Sequence, residues 1–424
     1  MKRTANMMKE IAFWGAMLVI LINGTVKLTF NVQLAETTGT IYIKADGLVE
    51  PSTAPIQNIG NHSYIFTSNI NDSIVVERDN IMIDGAGYTL QGTVSEKGIE
   101  LTGKSNITIK NMKVTKFYYG LYFESSSNIT LSGNNITDNY YGVALGSSWG
   151  NNLVCNNVFN NTWDGFFLFY SDNNILYGNT VLLNKRYGIA LSQSGNNKIF
   201  HNNFINNTKQ THLYESFNNV WDDDYPSGGN YWSDNAYVDL YSGRYQNESE
   251  SDGIGDLFYT INGNDQDRFP LMAPISLFDV GEWDGEPYFV EIVSDSTVSN
   301  FQLSETRKVL SFNVTCETGS GFCRITMPNA VAQNLWNRNY TILVDSETPL
   351  TMRNWTDDDA YTYIYFTYPQ QEHEVVIVPE FPSTMILSSI MVFIITAMII
   401  LKRRHREIML KLNHVLNLTM RPFQ

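Results

Sequence analysis

From residue 98 the chain alternates apolar and polar positions in short runs, and the runs recur. Gly98-Ile-Glu-Leu, Gly120-Leu-Tyr-Phe, Gly142-Val-Ala-Leu, Gly165-Phe-Phe-Leu and Gly188-Ile-Ala-Leu are spaced by 22, 22, 23 and 23 residues. The first and third residues after each glycine are apolar and share a face, as the two-residue period of a strand requires: Ile99 and Leu101, Leu121 and Phe123, Val143 and Leu145, Phe166 and Leu168, Ile189 and Leu191. Thr211-His-Leu-Tyr continues the series without its glycine, so the outward positions read Glu100, Tyr122, Ala144, Phe167, Ala190 and Leu213.

Two further lines of matches follow each glycine-led run. One includes Ser105-Asn106-Ile-Thr-Ile, Ser127-Asn128-Ile-Thr-Leu, Asn173-Asn174-Ile-Leu and Asn196-Asn197-Lys-Ile, and the other Asn134-Asn135-Ile, Asn156-Asn157-Val and Asn202-Asn203-Phe. Three short β-prone runs per period, bounded by Gly or Asn, describe one coil of a right-handed parallel β-helix. No segment of the period has helical spacing, which excludes leucine-rich and all-helical repeats. Asparagine suits the corners, because it tolerates the left-handed backbone conformation and its amide can bond to the asparagine one coil away.

Outside the repeats the pattern changes. Residues 36–97 read as an N-terminal cap with the first coils, 98–225 as the regular coils, and the Gly/Asp-rich 226–274 as a C-terminal cap. In 275–378 short β-prone runs recur without the repeat, which predicts a small immunoglobulin-like β-sandwich. The first 35 residues place Met1-Lys2-Arg3 and Lys9 before an apolar run, as in an export signal or an uncleaved anchor. Residues 379–401 form a Pro-containing junction and an uncharged stretch, Phe381 to Leu401, closed by Lys402-Arg403-Arg404; this predicts one transmembrane helix, with a basic inner tail over 402–424. The body then lies outside the membrane, on the cell surface.

The coils, together with Gly229-Asn230-Tyr-Trp-Ser-Asp234, Asp252-Gly-Ile-Gly-Asp256 and Asn264-Asp-Gln-Asp-Arg-Phe-Pro-Leu-Met272, resemble the NosD-like family of β-helix proteins. Ser73 to Gly87 resembles that family's first coils. The resemblance implies the pectin-lyase-like fold, which also hosts polysaccharide lyases and hydrolases, and a kinship with archaeal surface proteins. The Val378-Pro379-Glu380-Phe381 junction likewise resembles archaeal C-terminal sorting signals, although the following tail is longer than theirs. A fold does not name a function.

A net charge of -15 argues against nucleic acid as partner. Three cysteines cannot make a disulfide scaffold; Cys316 and Cys323, around a Thr-Gly-Ser-Gly turn, are candidates for one local disulfide, and Cys155 reads as a buried apolar residue. Among the eleven Asn-x-Ser/Thr sequons between Ala35 and the uncharged stretch, Asn313, Asn339 and Asn354 are the candidate glycosylation sites, because those in the coils double as corner asparagines. Glu248, Glu250, Asp252 and Asp256 are spaced like a calcium loop lacking its last Glu, which makes structural Ca²⁺ a candidate cofactor. The six histidines form no group in sequence, so the copper implied by the NosD name is not carried over.

Acid–base cleavage of sugars needs paired carboxylates, and registering the coils brings no two acids to adjacent rungs of one ladder. Registering does align Tyr118 and Tyr119, Tyr140 and Tyr141, Trp163, and Tyr187 just before the glycines. Stacked aromatic rings offer a platform for sugar C–H faces, and the alternative is that they pack the corner against a neighbouring loop. The expectation is a glycosylated, membrane-anchored surface protein that binds a glycan or another surface component without catalysis. A carbohydrate-active enzyme and a structural envelope protein are the alternatives.

Overall fold

The structure, a computed structural model, describes residues 39–380 apart from 237, 264, 284–285, 350 and 356–359. The expected export segment, the apolar stretch after Glu380 and the basic tail lie outside the described residues. Among the described residues no helix is long and apolar enough to cross a membrane.

Three parallel sheets wind into a β-helix. The first takes Ile41–Ile43, Ile74–Val76, Lys97–Thr102, Tyr119–Glu124, Tyr141–Gly146, Phe166–Phe169, Tyr187–Ser192 and Lys209–Tyr214 in that order. The second runs from Ser63–Phe66 to Lys198–Phe200, and the third from Thr89–Gln91 to Tyr231–Trp232. Neighbours within each sheet are one coil apart in sequence, for example Leu121 beside Val143 and Ile129 beside Ile107. The predicted inward stack, Ile99 to Leu191, is fully buried and forms one core with Ile107, Ile129, Ile136 and their ladder equivalents. Each buried aliphatic or aromatic side chain adds about 1.5–3 kcal/mol.

The corners divide a labour that the sequence assigned to single asparagines. Asn128, Asn173, Asn196 and Asn218 take the left-handed conformation and are exposed. The residues that follow the last three, Asn174, Asn197 and Asn219, point inward with Asn151 and form a buried ladder. Within it Asn151 donates from its backbone N–H and its amide to Asn174 Oδ1, at 3.0 and 2.9 Å. Its amide also donates to the Ser126 carbonyl at 3.4 Å, so little of the buried side chain is left unsatisfied. Parallel ladders run through Asn134–Asn156–Asn179–Asn202 and Asn139–Asn161–Asn184–Asn207.

One register expectation fails. The last coil is 22 residues, so Ile189 pairs with Thr211 and Ala190 with His212. His212, not Leu213, therefore points outward; without the glycine the alignment slipped by one, and a one-residue slip exchanges the faces.

In the C-terminal cap Trp232 prolongs the interior stack. It lies on Phe204 at 4.5 Å and against Tyr259 at 4.3 Å, with its indole N–H donated to buried Asp267 at 2.9 Å. Asp267 also accepts from the backbone N–H of Asn230 and Phe269, and its full burial pushes its pKa up to about 7.

The C-terminal domain is one seven-stranded sheet around a single core, where an immunoglobulin-like sandwich would have two separate sheets. Its longest strands, Val309–Pro328 and Tyr361–Pro379, pair along almost their whole length. One half of this pair carries Thr297–Ser304 and Tyr340–Val344 as neighbours, and the other carries Glu286–Ser294 and Met352–Trp355. The sheet thus nearly closes on itself, and the helix Asn329–Trp336 packs into the same core. The register shift between Cys316 and Ser320 takes the place of the expected turn. Cys316 and Cys323 sit opposite Gln371 and Phe366 on the same long strand pair. Five rungs at about 3.4 Å each keep them well beyond the ~7 Å Cα limit for a bridge. They form no disulfide, which corrects the sequence expectation.

Candidate functional site

The aromatic residues before each glycine form two columns on the outside of the first sheet. In the outer column Tyr118 stacks on Tyr140 at 4.7 Å and Tyr140 on Trp163 at 5.3 Å. The Arg186 guanidinium ends it, 4.5 Å from the Trp163 ring and 4.5 Å from that of Tyr187. In the inner column Tyr119 stacks on Tyr141 at 5.1 Å and Tyr141 on Phe167 at 5.5 Å, while Tyr187 lies on His212 at 4.5 Å. The columns meet edge to face, with Tyr118 and Tyr119 at 80°.

Strand spacing explains the geometry. Coils repeat every ~4.8 Å, but ring faces touch at about 3.5 Å, so ladder rings must tilt and overlap like shingles. Each ring leaves an edge and part of a face toward solvent: Tyr118 is 39% exposed, and the other five candidates are half-buried. The rings pack on each other rather than beneath a covering loop.

Both ends of the columns are charged. At the N-terminal end a cleft of about 340 Å³ is lined by Ser73, Glu96, Lys97, Glu100, Tyr118 and Tyr119. Lys97 bonds Glu100 at 2.7 Å and lies 4.0 Å above the Tyr122 ring. The Tyr122 hydroxyl donates to Glu124 at 2.8 Å, and burial together with that carboxylate raises its pKa far above the usual phenol range.

At the other end Asp164 takes the rung between Tyr141 and Tyr187. Its carboxylate is 1% exposed; burial pushes its pKa up to about 6, against the pull of Arg186 at 3.7 Å and the Tyr187 N–H. Asp164 Oδ2 and the indole N–H of Trp163 are buried without a hydrogen-bond partner among the described residues. The burial of Asp164 comes from the flanking rings. Phe167 and Tyr122 were legible as outward residues, and His212 was missed through the slipped register.

The acidic loop does not assemble. Glu248 and Glu250 are exposed, with Glu248–Ser249 paired as a strand to Tyr241–Ser242. Asp252 is buried and bonds the Ile254 N–H at 3.0 Å, and Asp256 accepts from Leu240 and Tyr241 N–H at 3.0 and 3.1 Å. These acids hold backbone donors of the cap, and the hairpin turns the glutamates away from them. Among the described residues no three His, Cys, Asp or Glu side chains are grouped to hold a metal.

The same geometry does not fit copper. His201 is engaged by Glu291 and Ser227, His373 by Asp345, and His212 stacks on Tyr187. Cys155 is a half-buried corner residue in the left-handed conformation, and burial pushes its thiol up to about 11. Of the sequons, Asn339 and Asn354 are exposed, whereas Asn313 is half-buried and donates to Glu372 at 2.9 Å. Those in the coils, Asn106, Asn128, Asn135, Asn160 and Asn206, belong to the second and third sheets and their corners, and the first sheet has none.

Residues 32–236, just under half of the chain, match the family described as periplasmic copper-binding protein (NosD). No curated protein sequence matches the chain. Among solved structures, the periplasmic alginate epimerase AlgG is 23% identical over 34% of this chain and 38% of its own, with a TM-score of 0.29. The mannuronan C-5 epimerase AlgE6 A-module of Azotobacter vinelandii is 15% identical over 37% and 51%, at 0.32. Tailspike gp49 of Acinetobacter baumannii bacteriophage Fri1, a capsular polysaccharide depolymerase, is 8% identical over 74% and 79%, at 0.26. The chain thus spans under two fifths of AlgG.

Proposed function

We propose that this chain, whose residues 32–236 match the NosD family, is a surface protein that binds carbohydrate along the aromatic columns of its first sheet without altering it covalently. The apolar stretch after Glu380 is its membrane anchor. The observation that carries the reading is the pair of shingled columns, half-exposed over several coils and uncovered by any other part of the described chain. Tilted rings present C–H-binding faces at a regular ~4.8 Å step, and the hydroxyls and the Lys97–Glu100 pair supply hydrogen bonds beside them.

A glycan array with the full chain tests it, alongside Tyr119→Ala and Tyr141→Ala. Binding to at least one glycan, lost in both variants, is the expected result; an array with no binding removes the proposal. Asp164, protonated over a range reaching toward neutrality and flanked by Arg186, favours a carbohydrate-active enzyme as the second reading. Shortened or unsaturated glycan products, absent with Asp164→Asn, would put that reading first.

A further inference from the structure

The C-terminal domain docks on the flank of the last coils and encloses a cavity of about 540 Å³ with the second sheet. Its apolar wall is built by Val154, Ile175 and Phe200 from the β-helix and by Tyr288, Phe289 and Tyr361 from the domain. Its polar wall is a chain of contacts. Tyr177 donates its hydroxyl to Glu291 Oε1, and His201 Nδ1 lies 3.3 Å from the same oxygen. His201 Nε2 lies 3.2 Å from the Ser227 carbonyl oxygen and 3.3 Å from its Oγ, and that hydroxyl donates to Asp223 at 2.9 Å.

Ser227, His201 and Glu291 follow the order of a nucleophilic triad, but the serine is not activated. Its hydroxyl proton goes to Asp223, and Nε2 faces the Ser227 carbonyl, which can only accept. His201 is thus a double donor, and with Glu291 it forms a buried ion pair that is neutral as a unit.

One atom of this wall is left over. Glu291 Oε2 is buried with no hydrogen bond of normal geometry among the described residues, and only the Thr326 hydroxyl lies close enough to interact with it. A buried carboxylate oxygen without a donor is costly, and such an atom lining a cavity is where a ligand's donor belongs.

We infer that this interdomain cavity is a second ligand site, and that it takes a neutral hydroxylated ring, one or two sugar residues in size. The volume lies within the ~300–1,000 Å³ of small-molecule sites, which concentrate at domain interfaces and pair apolar walls with a few convergent polar groups. The aromatic side chains Phe200 and Tyr288 suit the C–H face of a ring, and Glu291 Oε2 with Asp223 and Thr326 suits its hydroxyls. An amine is disfavoured, because the imidazolium of His201 already neutralises Glu291 and would repel a second cation. The site lies on a different sheet from the aromatic columns and does not depend on them.

Saturation-transfer NMR of the full chain in detergent micelles, with a panel of mono- and disaccharides and n-butylamine as the cationic competitor, tests the inference. With the columns already disabled by Tyr119→Ala and Tyr141→Ala, transfer to at least one saccharide is expected, with affinity falling at least tenfold when Glu291→Gln or Tyr288→Ala is added. Transfer to no saccharide overturns the inference. So does binding that survives both cavity variants in that background, or preferential binding of butylamine. If Glu291→Gln misfolds, Tyr288→Ala, which truncates a half-buried wall residue, decides the question.

Discussion

The outer faces of the first and second sheets use the same residue types on the same coil scaffold, yet they end in opposite environments. On the first, Tyr119, Tyr141 and Phe167 stack along the axis and stay half-open to solvent. On the second, Tyr177 and Phe200 lie 5.2 Å apart and face the C-terminal domain. Asn203 clamps the Ile275 backbone with two 2.8 Å hydrogen bonds, and Leu277 lies against Gly178. Arg324, 1% exposed, reaches from the domain to the carbonyls of Asp252 and Pro226 in the cap. An outward aromatic residue is therefore no marker of a ligand surface by itself. What distinguishes the faces is whether another part of the chain covers them.

The sharpest way to break this contrast is to remove a charge from the covered face. Glu291→Ala removes the charge that keeps His201 ionised and the acceptor shared by His201 and Tyr177, and truncating one member of a buried pair costs about 3–5 kcal/mol. Urea unfolding should register that loss. A cost near zero would mean that the second face is not a true interface. On the open face Tyr141→Ala should lower glycan affinity by about tenfold or more, since the lost ring stacking and its buried area contribute about 1–3 kcal/mol. Its cost in unfolding free energy should stay below that of Glu291→Ala.

Acidity separates the faces next. Burial disfavours the His201 imidazolium, but the charge and hydrogen bond of Glu291 outweigh it and raise its pKa above the ordinary 6.5; Asp223 and the Ser227 carbonyl add to this. Burial likewise opposes ionisation of Glu291, and His201 with Tyr177 overcomes it, so its pKa falls below 4.5. A raised histidine pKa gives stability that is complete below 6.5 and lost as pH rises through the folded value. A lowered glutamate pKa gives stability present above 4.5 and lost as pH falls through its folded value. The docked domain should thus be most stable at about pH 4.5–6.5 as far as this pair decides it, and the alkaline loss should vanish in His201→Gln. An unchanged pH profile in that variant would show that the pair is not what titrates.

The smallest effect concerns the end of the outer column. Arg186→Gln removes a partly exposed cation from between Trp163 and Tyr187, worth about 0.5–1 kcal/mol, and also raises the Asp164 pKa further. NMR titration of Asp164 reads that shift directly; no upward movement would remove Arg186 as its counter-charge.

Much of the β-helix was legible because each coil states its register again. Ile99, Leu121, Val143, Phe166 and Ile189 predicted one another's burial, and only the coil that lost its glycine was misaligned, at His212. The aromatic columns were equally legible as a set, since strand spacing alone brings Tyr118 to Tyr140 and Tyr119 to Tyr141. The C-terminal domain repeats nothing, so its β-prone runs predicted strands but not their partners. The Cys316–Cys323 segment looked like a turn because glycine permits one, whereas the strand runs on past a bulge against Tyr361–Pro379.

The sequence by itself determined the coil, its inward stack and the outward rows, because a repeated local pattern needs only its nearest coil to be satisfied. Tertiary structure alone decided which row is covered. The cavity residues Tyr177, His201, Ser227 and Glu291 come from four separate stretches, the farthest 114 residues apart. Likewise Asp164 became a buried acid only through rings brought from neighbouring coils. Non-local contact of this kind leaves no periodic trace along a chain, since nothing in the spacing of one segment encodes the surface that a distant one will cover.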